Sequence, residues 1–169
     1  MGFLYAFIAL VFCAVLLFYF IVIPGRPNGR ENGFTGVMYA HRGLHGGDVP
    51  ENSLEAFRLA VENGYGIELD IRLTKDGRVI VFHDDSLERV CGEARLAADC
   101  LYEELPTLPD GSRIPLFSEV LDLVDSKTPI LVELKGTTTD TAVCSKGSEV
   151  LDTYAGAYCV ESFDPFLLR

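Results

Sequence analysis

The chain has 169 residues, a formal net charge of -11 at pH 7 and 49% hydrophobic residues. That length holds one ordinary domain, and so acidic a chain argues against nucleic-acid partners, whose phosphates it would repel. Its five cysteines, Cys13, Cys91, Cys100, Cys144 and Cys159, include no CxxC pair. This disfavours a zinc or redox motif and suits a reducing compartment better than a disulfide framework.

From Gly2 to Ile23 no residue is charged. At about 1.5 Å per residue a helix of that length matches a hydrocarbon core of roughly 30 Å. A cleaved signal would have a charged start, a shorter apolar centre and a small-residue cleavage site. Here the start is uncharged, and the run ends in Phe18-Tyr19-Phe20-Ile21-Val22-Ile23 before Pro24. Residues 1–23 are therefore read as a single-pass membrane anchor, inserted through residues 2–23. Residues 24–36, rich in Gly, Pro and Asn, read as a linker, and 37–169 as the soluble domain. Arg26 and Arg30 follow the apolar run and nothing basic precedes it except the amino terminus, which places the domain on the cytoplasmic side.

Val37 to Ala40 is a short apolar run fit for a buried strand, and Leu44 to Val49, with two glycines, reads as a loop. A helix then opens at Pro50-Glu51-Asn52-Ser53, capped by Asn52 with Glu55 reaching back. Leu54, Phe57, Ala60 and Val61 supply its apolar stripe, and Asn63-Gly64 ends it. Gly66 to Leu73 and Arg78 to His83 read as strands around Lys75-Asp76-Gly77, a hairpin signal. A short crossover between parallel strands would also bring His83 to Asp70. Ser86 to Leu105 reads as loop and short helix, Pro115 to Val124 as a helix, and Ile130 to Leu134 as a strand. Thr137 to Asp140 reads as a polar loop, Ser148 to Tyr154 as a helix, and Ala157 to Phe163 as a fifth strand, in which Cys159 is expected as a small buried hydrophobe.

Apolar strands alternating with helices indicate an α/β fold with a parallel sheet buried on both faces. Ionisable residues gathered at carboxyl ends of successive strands suit a TIM (β/α) barrel better than a doubly wound sheet, which gathers ligands at one switch point. Five strands are read where such a barrel has eight, and residues 37–169 fall short of its ~250 residues. An incomplete barrel is therefore expected.

Charged groups are rarely placed at the end of a buried strand without metal, phosphate or proton chemistry. Glu68 and Asp70, two apart on one strand, face the same way and repel each other unless a cation lies between them. Oxygen-only ligands favour a hard divalent ion, Mg²⁺ or Ca²⁺, and Glu133 is a third candidate ligand. The alternative is a structural network in which Arg42, Arg72 or Lys135 neutralises the acids. His41 and His83 close two strands and could serve as general base and general acid. Arg42 and Lys135 would complement a phosphate. His45, in a Gly-rich loop, is given no role.

His41-Arg42-Gly43, Pro50-Glu51-Asn52-Ser53, Glu68-Leu69-Asp70, Thr74-Lys75-Asp76-Gly77, His83-Asp84, Glu133-Leu134-Lys135 and Glu161-Ser162-Phe163-Asp164 occur in this order from about Val37 to Arg169. The set resembles the glycerophosphodiester phosphodiesterase family. The resemblance implies a metal-dependent hydrolase on a phospholipase C-like TIM barrel, cutting glycerophosphodiesters to glycerol 3-phosphate and an alcohol in phospholipid metabolism. It implies His41 and His83 as the acid/base pair, Glu68, Asp70 and Glu133 as ligands of one divalent cation, and Arg42 and Lys135 as phosphate contacts. Glu51 would support the site by hydrogen bonding. Family members continue through three more strands, so 37–169 is expected to be the N-terminal part of the domain. The alternatives are a lysophospholipase D acting on lysophospholipids with the same fold, and an inactive fragment or membrane-tethered binding module.

Overall fold

The computed structural model describes residues 2–22, 33–136 and 141–168. Most of the expected linker, with Arg26 and Arg30, and the loop from Thr137 to Asp140 lie outside the described residues. The chain divides into two units, Met1–Asn32 and Gly33–Arg169. The first holds helix α1, Gly2–Val22, 21 residues without a charged side chain. It is long and apolar enough to cross a membrane by length and composition, a test that a signal sequence also passes.

The second unit runs β1 (Tyr39–His41), α2 (Leu54–Glu62), β2 (Gly66–Leu73), β3 (Val79–Val81), α3 (Glu88–Cys91), α4 (Phe117–Val124), β4 (Ile130–Leu134), α5 (Ala142–Leu151) and β5 (Tyr158–Glu161). Four strands are parallel in the order β1-β2-β4-β5, and β3 adds to β2. The pairing Ile71↔Val81, Arg72↔Ile80 and Leu73↔Val79 is antiparallel. The hairpin alternative is thus the one realised, and the strand read as Arg78 to His83 stops at Val81. One of the five expected barrel strands is therefore a hairpin arm. β1 pairs with the first residues of β2 and β3 with the last, so the two share one edge. The turn between β2 and β3 is locked by Thr74, whose Oγ1 meets Asp76 Oδ1 at 2.7 Å, and by Gly77 at φ 73°, a left-handed conformation that costs glycine little.

Alternation along the strands separates apolar from ionisable side chains. Ile67, Leu69 and Ile71 of β2 and Ile130, Val132 and Leu134 of β4 join one core with Phe57 of α2 and Phe117, Val120 and Val124 of α4. Phe57 and Phe117 are fully buried and contribute about 1.5–3 kcal/mol each through burial. A second core, with Ile80, Phe82, Leu87, Tyr102 and Ile114, lies under the segment after β3.

Three expectations need correction. The cap of α2 is Ser53, whose Oγ accepts from the Ala56 N–H at 3.1 Å. Asn52 is drawn away to Asp70, and Glu55 pairs with Arg58 instead of reaching back. Helix α5 begins at Ala142, not Ser148, and carries Gly147 in its interior. A Cβ there would lie 2.9 Å from Ile71 Cδ1, so close packing on β2 accounts for a residue that weakens a helix in isolation. Cys159 is exposed, because β5 is the last strand of the described sheet and only Val160 is partly covered. Burial on both faces therefore holds for β2 but not for β5.

Candidate active site

Sheet register gathers the acids. Asp70 of β2 lies opposite Glu133 of β4, and Glu133 opposite Glu161 of β5. Glu68 shares Asp70's face and lies opposite His41 of β1. Glu68, Asp70 and Glu133 are buried, at 7%, 0% and 7% exposure. One carboxylate oxygen from each falls within 4.8 Å of the others.

The loop after β1 supplies their first partners. Arg42 has φ 57°, and its backbone N–H donates to Glu68 Oε2 at 2.9 Å. Gly43 follows at φ 81°, where a Cβ would meet the Ala56 Cβ at 2.7 Å, so only glycine lets this loop rest on α2. Asn52 Nδ2 donates to Asp70 Oδ2 at 2.8 Å. Arg42 Nε stands 3.6 Å from the same oxygen. Lys135 Nζ donates to Glu133 Oε1 at 2.5 Å and lies 3.1 Å from Asp70 Oδ1.

These partners do not satisfy the acids fully. Among the described residues, Asp70 Oδ1, Asn52 Oδ1 and Arg42 Nε are buried with no hydrogen-bond partner. The 3.1 Å approach of Lys135 to Asp70 Oδ1 is an ion pair by distance without hydrogen-bond geometry. Burial pushes the Glu68 carboxyl up to about 7. The Arg42 N–H opposes that rise, and the charges of Asp70, Glu133 and Glu161 add to it. Arg72, expected as a possible neutraliser, instead donates to the His83 carbonyl and pairs with Asp85. An all-oxygen set with an orphaned carboxylate oxygen and a carboxyl resisting ionisation fits a hard divalent cation.

The histidines differ. His41 ends β1 with its side chain 69% exposed and Nε2 3.9 Å from Glu68 Oε2. His83 lies two residues beyond Val81, next to Phe82, whose N–H donates to the Asp70 carbonyl at 2.9 Å. Its Nδ1 is 2.6 Å from Asp84 Oδ1. The Arg89 hydrogen bond is the main cause that holds the Asp84 carboxyl down at about 2, and His83 lowers it further. An ionised carboxylate only accepts, so Nδ1 is the donor in this contact and Nε2 is the ring nitrogen turned away from it.

Glu51 Oε1 accepts from Arg42 NH1 at 2.9 Å, and both Glu51 oxygens accept from Arg89. The expected residues Arg42, Glu51, Glu68, Asp70, Glu133 and Lys135 thus form one connected set, with His41 at its margin and His83 joined through Asp84. Asn52, Asp84 and Arg89 also belong to it. The first two stand in motifs already singled out, whereas nothing in the local pattern marks Arg89. A cavity of about 580 Å³ opens alongside, lined by Arg72, Lys75, Glu133, Lys135, Ser162 and Phe163 among others.

Comparison with known proteins matches residues 41–160 to the glycerophosphoryl diester phosphodiesterase family. A glycerophosphodiester phosphodiesterase of Bacillus altitudinis is 40% identical over 109 residues, covering 58% of this chain and 44% of that protein. A human lysophospholipase D is 32% identical over 161 residues, covering 86% of this chain and 49% of that one. Among solved structures, an Oleispira antarctica phosphodiesterase in complex with the product sn-glycerol-3-phosphate superposes with a TM-score of 0.72 at 27% identity, over 80% of this chain and 60% of that one. The chain spans about half the length of the curated relatives it matches. With its acids, basic side chains and histidines brought together on a parallel sheet of TIM-barrel-like fold, the chain belongs to the glycerophosphoryl diester phosphodiesterase family.

Proposed function

We propose that the protein hydrolyses glycerophosphodiesters to glycerol 3-phosphate and an alcohol, and that residues 37–169 are the N-terminal part of the catalytic domain. The observation that carries this is the buried Glu68-Asp70-Glu133 group, in which Asp70 Oδ1 lies 3.1 Å from Lys135 Nζ yet has no hydrogen bond among the described residues. In this reading Glu68, Asp70 and Glu133 hold one divalent cation, Mg²⁺ or Ca²⁺. When bound, it supplies positive charge where the phosphate oxygens gain negative charge. Arg42 binds phosphate through its planar fork and Lys135 as a point charge. Glu51 keeps the Arg42 fork in place. His83, protonated at Nδ1, exchanges a proton at Nε2, and His41 is its acid/base counterpart across the phosphorus.

Residues 1–23 are proposed to tether the domain to a membrane, with 24–36 as linker and the domain on the cytoplasmic face. The human lysophospholipase D, aligned over 86% of the chain, supports a second reading in which the substrate is a lysophospholipid. Assaying the full chain on glycerophosphocholine and lysophosphatidylcholine, with chelator and with each metal restored, separates the two. His83→Ala is expected to lower turnover about 10²–10⁴-fold while cation binding by calorimetry stays unchanged. Near-normal turnover in that variant rules out the role given to His83, and no turnover on either substrate leaves the binding-module alternative.

A further inference from the structure

Arg89 stands in the four-residue helix α3, 38 positions from Glu51 in sequence. Its guanidinium is used on two sides. NH1 and NH2 grip Glu51 Oε2 and Oε1 at 3.0 and 2.6 Å, and Nε donates to Asp84 Oδ2 at 2.5 Å. Each gripped carboxylate also holds a residue of the site: Glu51 takes Arg42 NH1 at 2.9 Å, and Asp84 takes His83 Nδ1 at 2.6 Å. The result is an unbroken line of alternating donors and acceptors, Arg42–Glu51–Arg89–Asp84–His83.

With His83 and Arg42 in the roles proposed above, we propose that Arg89 is a positioning residue that sets the acid/base imidazole relative to the phosphate-binding guanidinium by clamping Asp84 and Glu51 together. The plainer account is a surface ion-pair cluster, which adds little to stability and nothing to the chemistry. Arg89 is 51% exposed, as that account expects. The carboxylates it grips are only 16% and 23% exposed, and both are already committed to site residues. Without Arg89, Glu51 and Asp84 become neighbouring like charges. Asp84 then loses the contact that fixes which oxygen it turns to His83. Lysine cannot substitute fully, because an ammonium lacks the fork that spans two carboxylates.

The test uses the full chain as wild type, Arg89→Ala and Arg89→Lys, with Lys146→Ala as an exposed ion-pair control. The deciding readout is the tautomer of His83 by ¹⁵N NMR, above the pH at which the imidazole loses its charge. Wild type is expected to hold the proton on Nδ1, Arg89→Ala to show both tautomers, and Arg89→Lys to fall between them. In parallel, kcat on glycerophosphocholine is expected to fall about tenfold or more in Arg89→Ala and to recover in part with added guanidinium. Melting temperature is expected to drop no more than in Lys146→Ala. An unchanged His83 tautomer in Arg89→Ala overturns the proposal whatever happens to kcat. A tautomer that shifts in a chain inactive on every substrate upholds the clamp and overturns the proposed activity instead. If Arg89→Ala does not fold, Arg89→Lys against wild type decides by the same tautomer criterion.

Discussion

Two groups of carboxylates, linked through Arg42, differ in how well they are satisfied. Glu68, Asp70 and Glu133 project from strands into a buried face, where Asp70 Oδ1 lacks a hydrogen bond and Glu68 is pushed up to about 7 by burial. Glu51 and Asp84 lie on loops, more exposed, and every oxygen they carry meets an arginine or a histidine. Charge left short of partners in a dry place asks for a ligand. Charge fully paired at the rim sets the direction of its neighbours. In the proposed reading the strands would supply binding capacity and the loops aim.

The sharpest way to break that contrast is Asp70→Asn, where turnover is expected to fall by about 10³-fold or more. The melting temperature of the chelated protein is expected to change little. If the acids were instead a structural network with Lys135 and Arg42, the same change would remove about 3–5 kcal/mol of stability, which thermal melts would show directly. A smaller effect is expected from Asn52→Ala, which leaves the acids in place and removes the donor to Asp70 Oδ2. Cation affinity by calorimetry should drop about 10–100-fold, as for other groups that orient ligands.

The smallest effect belongs to the rim. The Asp84 carboxyl sits at about 2 in the folded protein, below the ~3.9 of an unfolded aspartate. Its contribution to stability is therefore complete above about pH 4 and is lost as pH falls toward 2. Glu51 is lowered too, chiefly by Arg89, and acts with the same sign. Thermal melts between pH 5 and 2 should show a steeper decline in wild type than in Asp84→Asn. Equal slopes would mean that the rim carboxylates are not coupled to folding.

The strand-borne half of this site was legible in the chain. Two-residue spacing puts Glu68 and Asp70 on one face whatever the tertiary structure, and Glu133 reaches them through parallel register. The loop-borne half was much less so. Asn52 and Ser53 are both good helix caps, and which one caps is decided by Asp70, a residue outside the helix. Arg89 joins Glu51 only because the hairpin and the second core bring α3 to the loop after β1, a contact with no local signature. Gly147 hid the start of α5, since its penalty in a lone helix is offset by contact with Ile71. Cys159 misled in the other direction: an apolar strand predicts burial, but the uncovered position of β5 leaves it exposed.

With a cation bound as proposed, the register that places Asp70 opposite Glu133 and Glu133 opposite Glu161 would also make the acids a proofreading device. A slip of β4 by one residue turns every side chain to the other face, so Val132 or Leu134 would replace Glu133 beside Asp70. Such a misthreaded sheet would offer two carboxylates where the native one offers three, and a cation that requires three would stabilise only the native pairing.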